Sequence, residues 1–262
     1  MNYSITSSRR IQIPLVASTF VLVLVALPLA NSLNVIDSLT VQGTTNLNTV
    51  SNSTNAAIGS SNYLGSGVSS SIAVGSNNYI VGPAVGTVVA GTGNAVETAT
   101  KSGVFGKDHY VSGSQTLVGG TLNGVEGTYG FSYGFTNWVA ANATSAMAGG
   151  QYTIANGVAS AALGNYTMAN GTASTSLGNN TKAYSFASVA IGQYNAKAPT
   201  SSDEDTNTQA RTTWRGQDTL FVIGNGTGSG ATPRKNAFLV TKDGTIIIQK
   251  QGDISMGSYT AP

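Results

Sequence analysis

The chain has 262 residues, of which only 8% are charged; its formal net charge is +2, and it has no cysteine. Soluble globular domains usually carry about 25% charged residues. These values exclude disulfides and thiolate metal sites, and they give no basis for binding nucleic acid. The length suits one long repeat domain with a small appendix.

Residues 1–32 have the features of a secretory signal peptide. Arg9 and Arg10 form a positive flank, residues 15–29 are almost wholly apolar, and small residues follow at a spacing that suits cleavage. The alternative is an uncleaved signal anchor, since residues 11–30 are just long enough to span a bilayer. We therefore expect a secreted or cell-surface protein, and membrane contact only through this segment if it is retained.

A polar lead-in follows at residues 33–55 and is expected to form a first strand or a cap. A cap is needed because bare solenoid ends expose strand edges, which invite aggregation.

Residues 56–195 contain an internal repeat, which is clearest where four glycines stand 14 residues apart. These repeat-turn glycines are Gly150, Gly164, Gly178 and Gly192. Upstream the spacing is looser, with a step of 14 between Gly106, Gly120 and Gly134 and a step of 16 between Gly59, Gly75 and Gly91. A repeat this short and regular indicates a repeat architecture, whatever the individual residues are.

Other residues of the repeat also form columns. An amide follows each glycine, and a threonine column lies at the third place, at Thr153, Thr167 and Thr181. Alanines recur five and nine places after the glycine, at Ala155, Ala169, Ala183, Ala159, Ala173 and Ala187. Small and large residues alternate before each glycine, which is strand periodicity.

A 14-residue unit is too short for a helical repeat but can hold two short strands and tight turns. The sequence therefore predicts an all-β fold, a narrow parallel β-solenoid or β-roll with a thin core of small side chains. A disordered linker is the alternative for so much Gly, Ala, Ser, Thr and Asn. A linker, however, has no need of strict columns.

The units SVAIG, SAALG and STSLG, at a period of 14, resemble the head repeats of YadA-like trimeric autotransporter adhesins, and related repeats occur in tail-fibre-like proteins. This resemblance implies a left-handed parallel β-roll, a homotrimer and an adhesive role. After residue 248 no coiled-coil heptads follow and too little chain remains for a membrane anchor, so a complete autotransporter is not expected.

Beyond the repeat, residues 196–217 are predicted to form a loop or linker because of their Pro, Ser and charge content. Residues 218–262 are predicted to contain a C-terminal β-hairpin. Apolar runs at 220–223 and 238–241 indicate its strands, and Asp243-Gly244 indicates a tight turn. This segment is similar to one that often follows such heads in tail-fibre-like proteins. The glycine-rich run at 224–230 is expected to be a turn rather than a phosphate loop.

An aromatic stretch interleaved with glycine is the best candidate for a binding patch. Its members are Tyr129, Phe131, Tyr133, Phe135 and Trp138. They could bind sugar rings or an apolar partner, because exposed aromatics carry binding energy. The alternative is that they pack between subunits or widen the core.

Six sequons, each with threonine two places after asparagine, are compatible with N-glycosylation. They begin at Asn52, Asn142, Asn165, Asn170, Asn179 and Asn225. The alternative is that a chain rich in Asn and Thr produces sequons by chance.

Catalytic chemistry, metal binding and cofactor binding are not expected. Residues 127–195 contain no acidic residue, and Lys182 is the only charged residue among them. The single histidine, His109, is expected to form a turn or surface pair with Asp108. The acidic run at 203–205 lacks the alternation of a calcium loop and is expected to be a solvated loop.

The leading hypothesis is therefore a non-enzymatic, extracellular, trimeric adhesin-like or fibre protein, with itself as one partner and matrix, glycan or a surface receptor as others. The alternative is a ligand-binding solenoid that uses the threonine and amide columns to bind ice or glycan. A third hypothesis, a β-helical polysaccharide-degrading enzyme, needs charged side chains clustered on one face.

Overall fold

A computed structural model of the chain describes residues 39–41, 45–48, 55–196, 208–228 and 234–248. In these ranges the chain forms strands and one short helix, α1 (Thr208–Thr212). The first two strands, β1 (Leu39–Val41) and β2 (Thr45–Asn48), pair antiparallel. The predicted all-β fold is confirmed.

The repeat region folds into nine coils of a parallel β-solenoid, each with one long and one short strand. The long strands have five residues each: β3 (Ala56–Ser60), β5 (Ile72–Ser76), β7 (Val88–Thr92), β9 (Gly103–Lys107), β11 (Leu117–Thr121), β13 (Phe131–Phe135), β15 (Met147–Gln151), β17 (Ala161–Asn165), β19 (Thr175–Asn179), and β21 (Val189–Gln193), which follows the ninth coil. The short strands are β4 (Tyr63–Leu64), β6 (Tyr79–Val81), β8 (Ala95–Glu97), β10 (Tyr110–Val111), β12 (Gly124–Val125), β14 (Trp138–Val139), β16 (Ile154–Ala155), β18 (Met168–Ala169) and β20 (Lys182–Ala183). Within the coils, long strands pair in parallel with neighbouring long strands and short strands with short ones, so the solenoid is built on two sheets.

The core is one side chain deep from each sheet. The second residue of every long strand points inward, and so does the second residue of every short strand. These positions hold valine in the middle coils, for example Val104 and Val111, and alanine in later coils, for example Ala162 and Ala169. The expected thin core of small residues is therefore confirmed for the column of Ala155, Ala169 and Ala183.

The repeat glycines lie inside the long strands, at the fourth of five positions, and not in the turns as predicted. They stack in register from Gly59 to Gly192 and on to Gly224. At Gly164 φ is +128°, and a Cβ built there would stand 2.1 Å from the carbonyl oxygen of Gly178. Only glycine fits this column, because its backbone conformation and the close approach of the next coil both exclude a side chain.

Left-handed turn residues, not core residues, occupy the second alanine column. Ala159, Ala173 and Ala187 have φ values of +54°, +57° and +53°. Tyr152 and Tyr166 adopt the same conformation at the turn after each long strand. Each regular coil therefore turns at two left-handed positions, and the contribution of these alanines to the core was predicted wrongly.

A buried polar ladder runs along the turn between the long and short strands. Its members, one per coil, are Asn62, Asn78, Asn94, His109, Asn123, Asn137, Thr153, Thr167 and Thr181. Up to Asn137, each side chain accepts a hydrogen bond from the backbone N–H of the next member, at 2.8–3.3 Å. The amides also donate to backbone carbonyls, as Asn137 Nδ2 does to Tyr133 and Gly150. From Asn78 to Thr153, the ladder therefore gives the backbone N–H group of each turn a side-chain acceptor.

The C-terminal segment extends the long-strand sheet. Strand β22 (Thr219–Asn225) pairs parallel with β21, and β23 (Asn236–Thr241) and β24 (Ile246–Ile248) follow antiparallel. The predicted hairpin is confirmed, with Gly244 at φ +89° in its turn. At the other end of the sheet, β2 pairs antiparallel with β3.

Helix α1 lies against the turns of the last coils. The backbone N–H groups of Thr172 and Phe186 donate to the carbonyls of Arg211 and Ala210, at 2.8 and 2.7 Å. The linker was predicted to be a loop, and this short helix within it was missed because five residues hold too little periodicity to read.

Candidate functional surfaces

The threonine column, one of the predicted binding surfaces, lies inside the molecule. Thr153, Thr167 and Thr181 are at most 1% exposed, because they continue the buried polar ladder. They cannot present hydroxyls to ice or glycan, so their assignment as surface-binding residues was wrong. The alternation of inward and outward side chains along a strand does not apply at a corner between strands. The sequence therefore did not reveal that these threonines point inward.

The aromatic stretch is exposed, but it is spread over several faces and does not form one stripe. Phe131 and Tyr133 point outward from β13, and Tyr133 is 64% exposed. Tyr129 lies in a left-handed turn and is 55% exposed. Trp138 points outward from the short-strand sheet and lies against Gly124, where a Cβ would approach the ring to 2.2 Å.

An apolar corner groove brings one of these aromatics, Trp138, together with residues outside the stretch. It has a volume of about 370 Å³, and its walls include Leu122, Thr136, Trp138, Tyr152, Ile154 and Tyr166. Tyr152 and Tyr166 stack with ring centroids 4.7 Å apart, and Phe135 meets Tyr152 edge-on at 5.5 Å. The signal for this groove was the tyrosine that follows the amide column in successive repeats.

The first and third residues of the long strands point outward and are almost all apolar along the solenoid, whereas the fifth residues are mostly polar and include Lys107. We call the surface formed by the first and third residues the long-strand face. No charged residue lies on it, and only Tyr133 and Thr175 carry a polar atom there. Its large side chains are exposed, among them Phe105 (46%) and Leu117 (48%). Apolar faces of this extent mark interaction surfaces.

A second depression, which we call the polar groove, lies where the turns before the long strands meet α1. Its volume is about 470 Å³, and it is lined chiefly by Asn142, Asn156, Val158, Asn170, Thr172 and Arg211. The turn at 140–146 is two residues longer than its counterpart in the next coil and forms one wall, while α1 forms the other. None of these residues belongs to the long-strand face.

The sequons differ in their surroundings. Asn142 and Asn225 are exposed, whereas Asn170 is only 5% exposed and accepts a hydrogen bond from Asn156 Nδ2 at 2.8 Å. Asn165 and Asn179 are partly buried and bond to each other across neighbouring long strands. A glycan on Asn170 does not fit the folded coil; Asn52 lies outside the described residues.

His109 is buried within the ladder, and its predicted role in a surface pair was wrong. It is 1% exposed; Nδ1 accepts the N–H of Asn123 at 3.1 Å, and Nε2 lies 3.2 Å from the Phe105 carbonyl. This pattern requires the neutral ring with its proton on Nε2. Burial lowers the pKa of His109 below its ordinary value, against smaller opposing effects of hydrogen bonds and of Asp108. Asp108 itself sits in the left-handed turn and contacts Lys107.

Within the described ranges, no three His, Asp or Glu side chains lie close enough to hold a metal ion. No helix of the described part is long and apolar enough to cross a membrane. The predicted signal at 1–32 and the acidic run at 203–205 lie outside the described residues.

The fold defines the class of this chain as a parallel β-solenoid. Compared with known proteins, the chain matches no family model, and no curated protein is significantly similar to it.

Proposed function

We propose that the chain is a non-enzymatic, extracellular, adhesin-like or fibre-forming scaffold that assembles as a homotrimer. The observation that carries the proposal is the long-strand face, which is apolar and free of charge over ten successive long strands. Burying such a face against other copies of the chain removes apolar surface from water. This burial stabilises the assembly by roughly 25 cal/mol per Å² of apolar surface. The number of copies, three, comes from the resemblance to YadA-like heads.

The opposite side of the solenoid supports the same assignment. The outward residues of the short strands include Glu97, Tyr110 and Lys182, so this side mixes charged and aromatic groups as a solvated surface does. With the long-strand face covered, the short strands and turns are left to meet a partner. Matrix, glycan or a cell-surface receptor is the partner we propose.

Light scattering of the full chain in a mild detergent tests the proposal. The detergent prevents the apolar N-terminal segment from driving association on its own. We expect a particle of three chains at micromolar concentration, and a monomer would overturn the proposed assembly.

Ice binding through the threonine column is excluded by the burial of that column.

A further inference from the structure

We infer that a row of aromatic side chains along the short-strand side of the solenoid binds a neutral polysaccharide of flat, β-linked pyranose rings. We call this row the aromatic track; its members are Tyr63, Tyr79, Tyr110, Trp138, Tyr152 and Tyr166. The inference rests on the proposed function, to which it adds a binding site and a class of glycan.

The parallel register of the short strands aligns the first four members of the track in a single column. Each is the first residue of its short strand and points outward, because the second residue points into the core. Tyr63 and Tyr79 lie in neighbouring coils and stack with ring centroids 4.9 Å apart. Beyond them the column holds the small residues Ala95 and Gly124 between the rings. From Tyr79 to Trp138 an aromatic ring therefore recurs at every second coil.

The track continues from this column into the corner groove. Trp138 is 37% exposed, and its ring lies over Gly124, where a side chain would collide with it. In the next two coils Tyr152 and Tyr166 occupy the left-handed corner and stack at 4.7 Å. All three rings line the corner groove, whose volume is about 370 Å³. Small-molecule sites typically have volumes of about 300–1,000 Å³.

The spacing of the rings suits a linear polymer of sugar rings. Parallel strands lie roughly 4.8 Å apart, so rings at every second coil recur at roughly 9.6 Å, and the whole track spans roughly 34 Å. In a straight β-linked glycan each ring is turned over relative to the one before, so the same face returns once per disaccharide, at a similar distance. The C–H groups on that face pack against the electron-rich faces of aromatic rings.

Carboxylates lie beside the track. Glu97 and Glu126 are on the outward side of the short-strand sheet, each directly after the buried second residue of a short strand. Glu97 Oε2 accepts the hydroxyl of Tyr110 at 3.1 Å, which ties one carboxylate to the track itself. An ionised carboxylate accepts hydrogen bonds but does not donate them, so these groups match the hydroxyl donors of a sugar.

The same charges argue against an anionic ligand. A single-stranded nucleic acid also stacks on aromatic rings, but its phosphates call for Lys or Arg along the groove. In the described coils, neither residue occupies the first short-strand position between Tyr63 and Met168. Lys107, at the adjoining corner, contacts Asp108 at 3.7 Å, which offsets its charge. An acidic polysaccharide meets the same repulsion from the carboxylates.

A proline-rich peptide is a third kind of ligand that docks on aromatic grooves. Its backbone offers carbonyl acceptors, and its prolines have no N–H to donate. The carboxylates beside the track can donate nothing to those carbonyls. A neutral glycan is therefore the occupant that the chemistry of the track favours.

The test uses the full chain, made in a host that adds no N-glycans and kept in a polyoxyethylene detergent, which contains no sugar. The probes are soluble β-linked oligosaccharides of glucose and of N-acetylglucosamine. An α-linked glucose oligosaccharide is the control ligand, because it has the same composition as the first probe but a coiled shape. Titration calorimetry should show at least one β-linked probe binding more tightly than the control, and the tighter probe identifies the sugar.

Two outcomes of this titration would overturn the inference. One is that neither β-linked probe binds, or that the α-linked control binds equally well. The other is that single-stranded DNA, a glucuronic acid polysaccharide or a proline-rich peptide binds the chain at least as tightly as the β-linked probes do.

Substitutions in two parts of the track locate the site. Trp138→Ala and Tyr79→Ala should each weaken binding of the β-linked probe roughly tenfold, because exposed aromatic anchors carry much of the binding energy. Tyr79→Phe keeps the ring and should bind as wild type does. Tyr129→Ala is the matched control, since Tyr129 is 55% exposed but lies in a turn outside the track.

Circular dichroism checks that each variant keeps the sheets of the wild type. Unchanged binding in both alanine variants of the track, or an equal loss in Tyr129→Ala, contradicts the site. A loss in Tyr79→Phe as large as that in Tyr79→Ala contradicts the role of the ring.

The failure of this inference differs from failure of the proposed function. A trimer that binds neither β-linked probe overturns the aromatic track alone. A monomer that binds a β-linked probe and loses it in Trp138→Ala overturns the trimer alone.

Discussion

At the scale of single residues, the glycine column tolerates substitution least. We expect Gly164→Ala to destabilise the protein by about 3 kcal/mol or more, because its φ of +128° is strained for alanine and the new Cβ would overlap the Gly178 carbonyl. Gly244→Ala is the control: φ is +89°, but nothing lies within 4 Å, so only the backbone strain of about 1–3 kcal/mol applies. Denaturant unfolding compares the two, and equal losses would show that the overlap costs nothing.

His109 is the one titratable member of the polar ladder. Its pKa is lowered by burial in the folded state, so the unfolded chain takes up the proton first as the pH falls. The stability associated with this residue is complete above about pH 6.5, its unfolded pKa, and is lost as the pH falls below that value. Unfolding should therefore become easier between about pH 7 and pH 5.

The variant His109→Asn restores the residue found at this place in neighbouring coils, and its amide can accept from Asn123 and donate to Phe105. We expect it to fold and to lose most of the decline in stability between about pH 7 and pH 5. Since the chain has no other histidine, few other groups change charge in this range. Denaturant unfolding at both pH values, with wild type in parallel, measures the difference, and parallel curves would contradict the assignment.

At the scale of elements, the threonine part of the ladder offers a matched pair of substitutions. Thr153 Oγ1 donates to Asn137 Oδ1 at 2.8 Å, whereas the Oγ1 of Thr167 is buried without a partner in the described part of the chain. We expect Thr153→Val to destabilise by about 1 kcal/mol and Thr167→Val to stabilise by a similar amount. Both side chains are fully buried, and valine has the same shape as threonine. Thermal unfolding should therefore show a lower melting temperature for Thr153→Val and a higher one for Thr167→Val.

How far the sequence predicts this fold depends on the element. The glycine step and the alternation before Gly164 sufficed for the long strands, their parallel stacking and the alanine core. Ladder residues were missed because they lie at a corner, where neither strand nor helix periodicity applies. A signal was present: His109 stands 14 residues before Asn123, the spacing of the glycines.

The binding surfaces were less accessible to sequence reasoning. Tyr133 and Trp138 are five residues apart, yet they point outward from different sheets, because a turn intervenes. Arg211 lines the same groove as Asn142 and Asn170 because α1 packs against the turns of the last coils, an arrangement that no repeat specifies. A surface assembled from segments that are far apart in the sequence becomes visible only in the three-dimensional structure.

At the scale of the whole molecule, the long-strand face should control association. Leu177 is 37% exposed and lies between Leu163 and Ile191 on neighbouring long strands. We expect Leu177→Glu to shift the assembly toward monomer, because a carboxylate buried in an apolar interface without a partner costs several kcal/mol. Light scattering across a concentration series measures this shift.

The matched control is Met168→Glu, on the outward side of the short-strand sheet. Its neighbour in register is Lys182, so this side already holds a charge and gains an opposite one. The control should assemble as wild type does, and both variants should keep the circular dichroism of the wild-type sheets. If both variants dissociate, the long-strand face is not the specific interface. If both variants assemble as wild type does, the long-strand face takes no part in the interface.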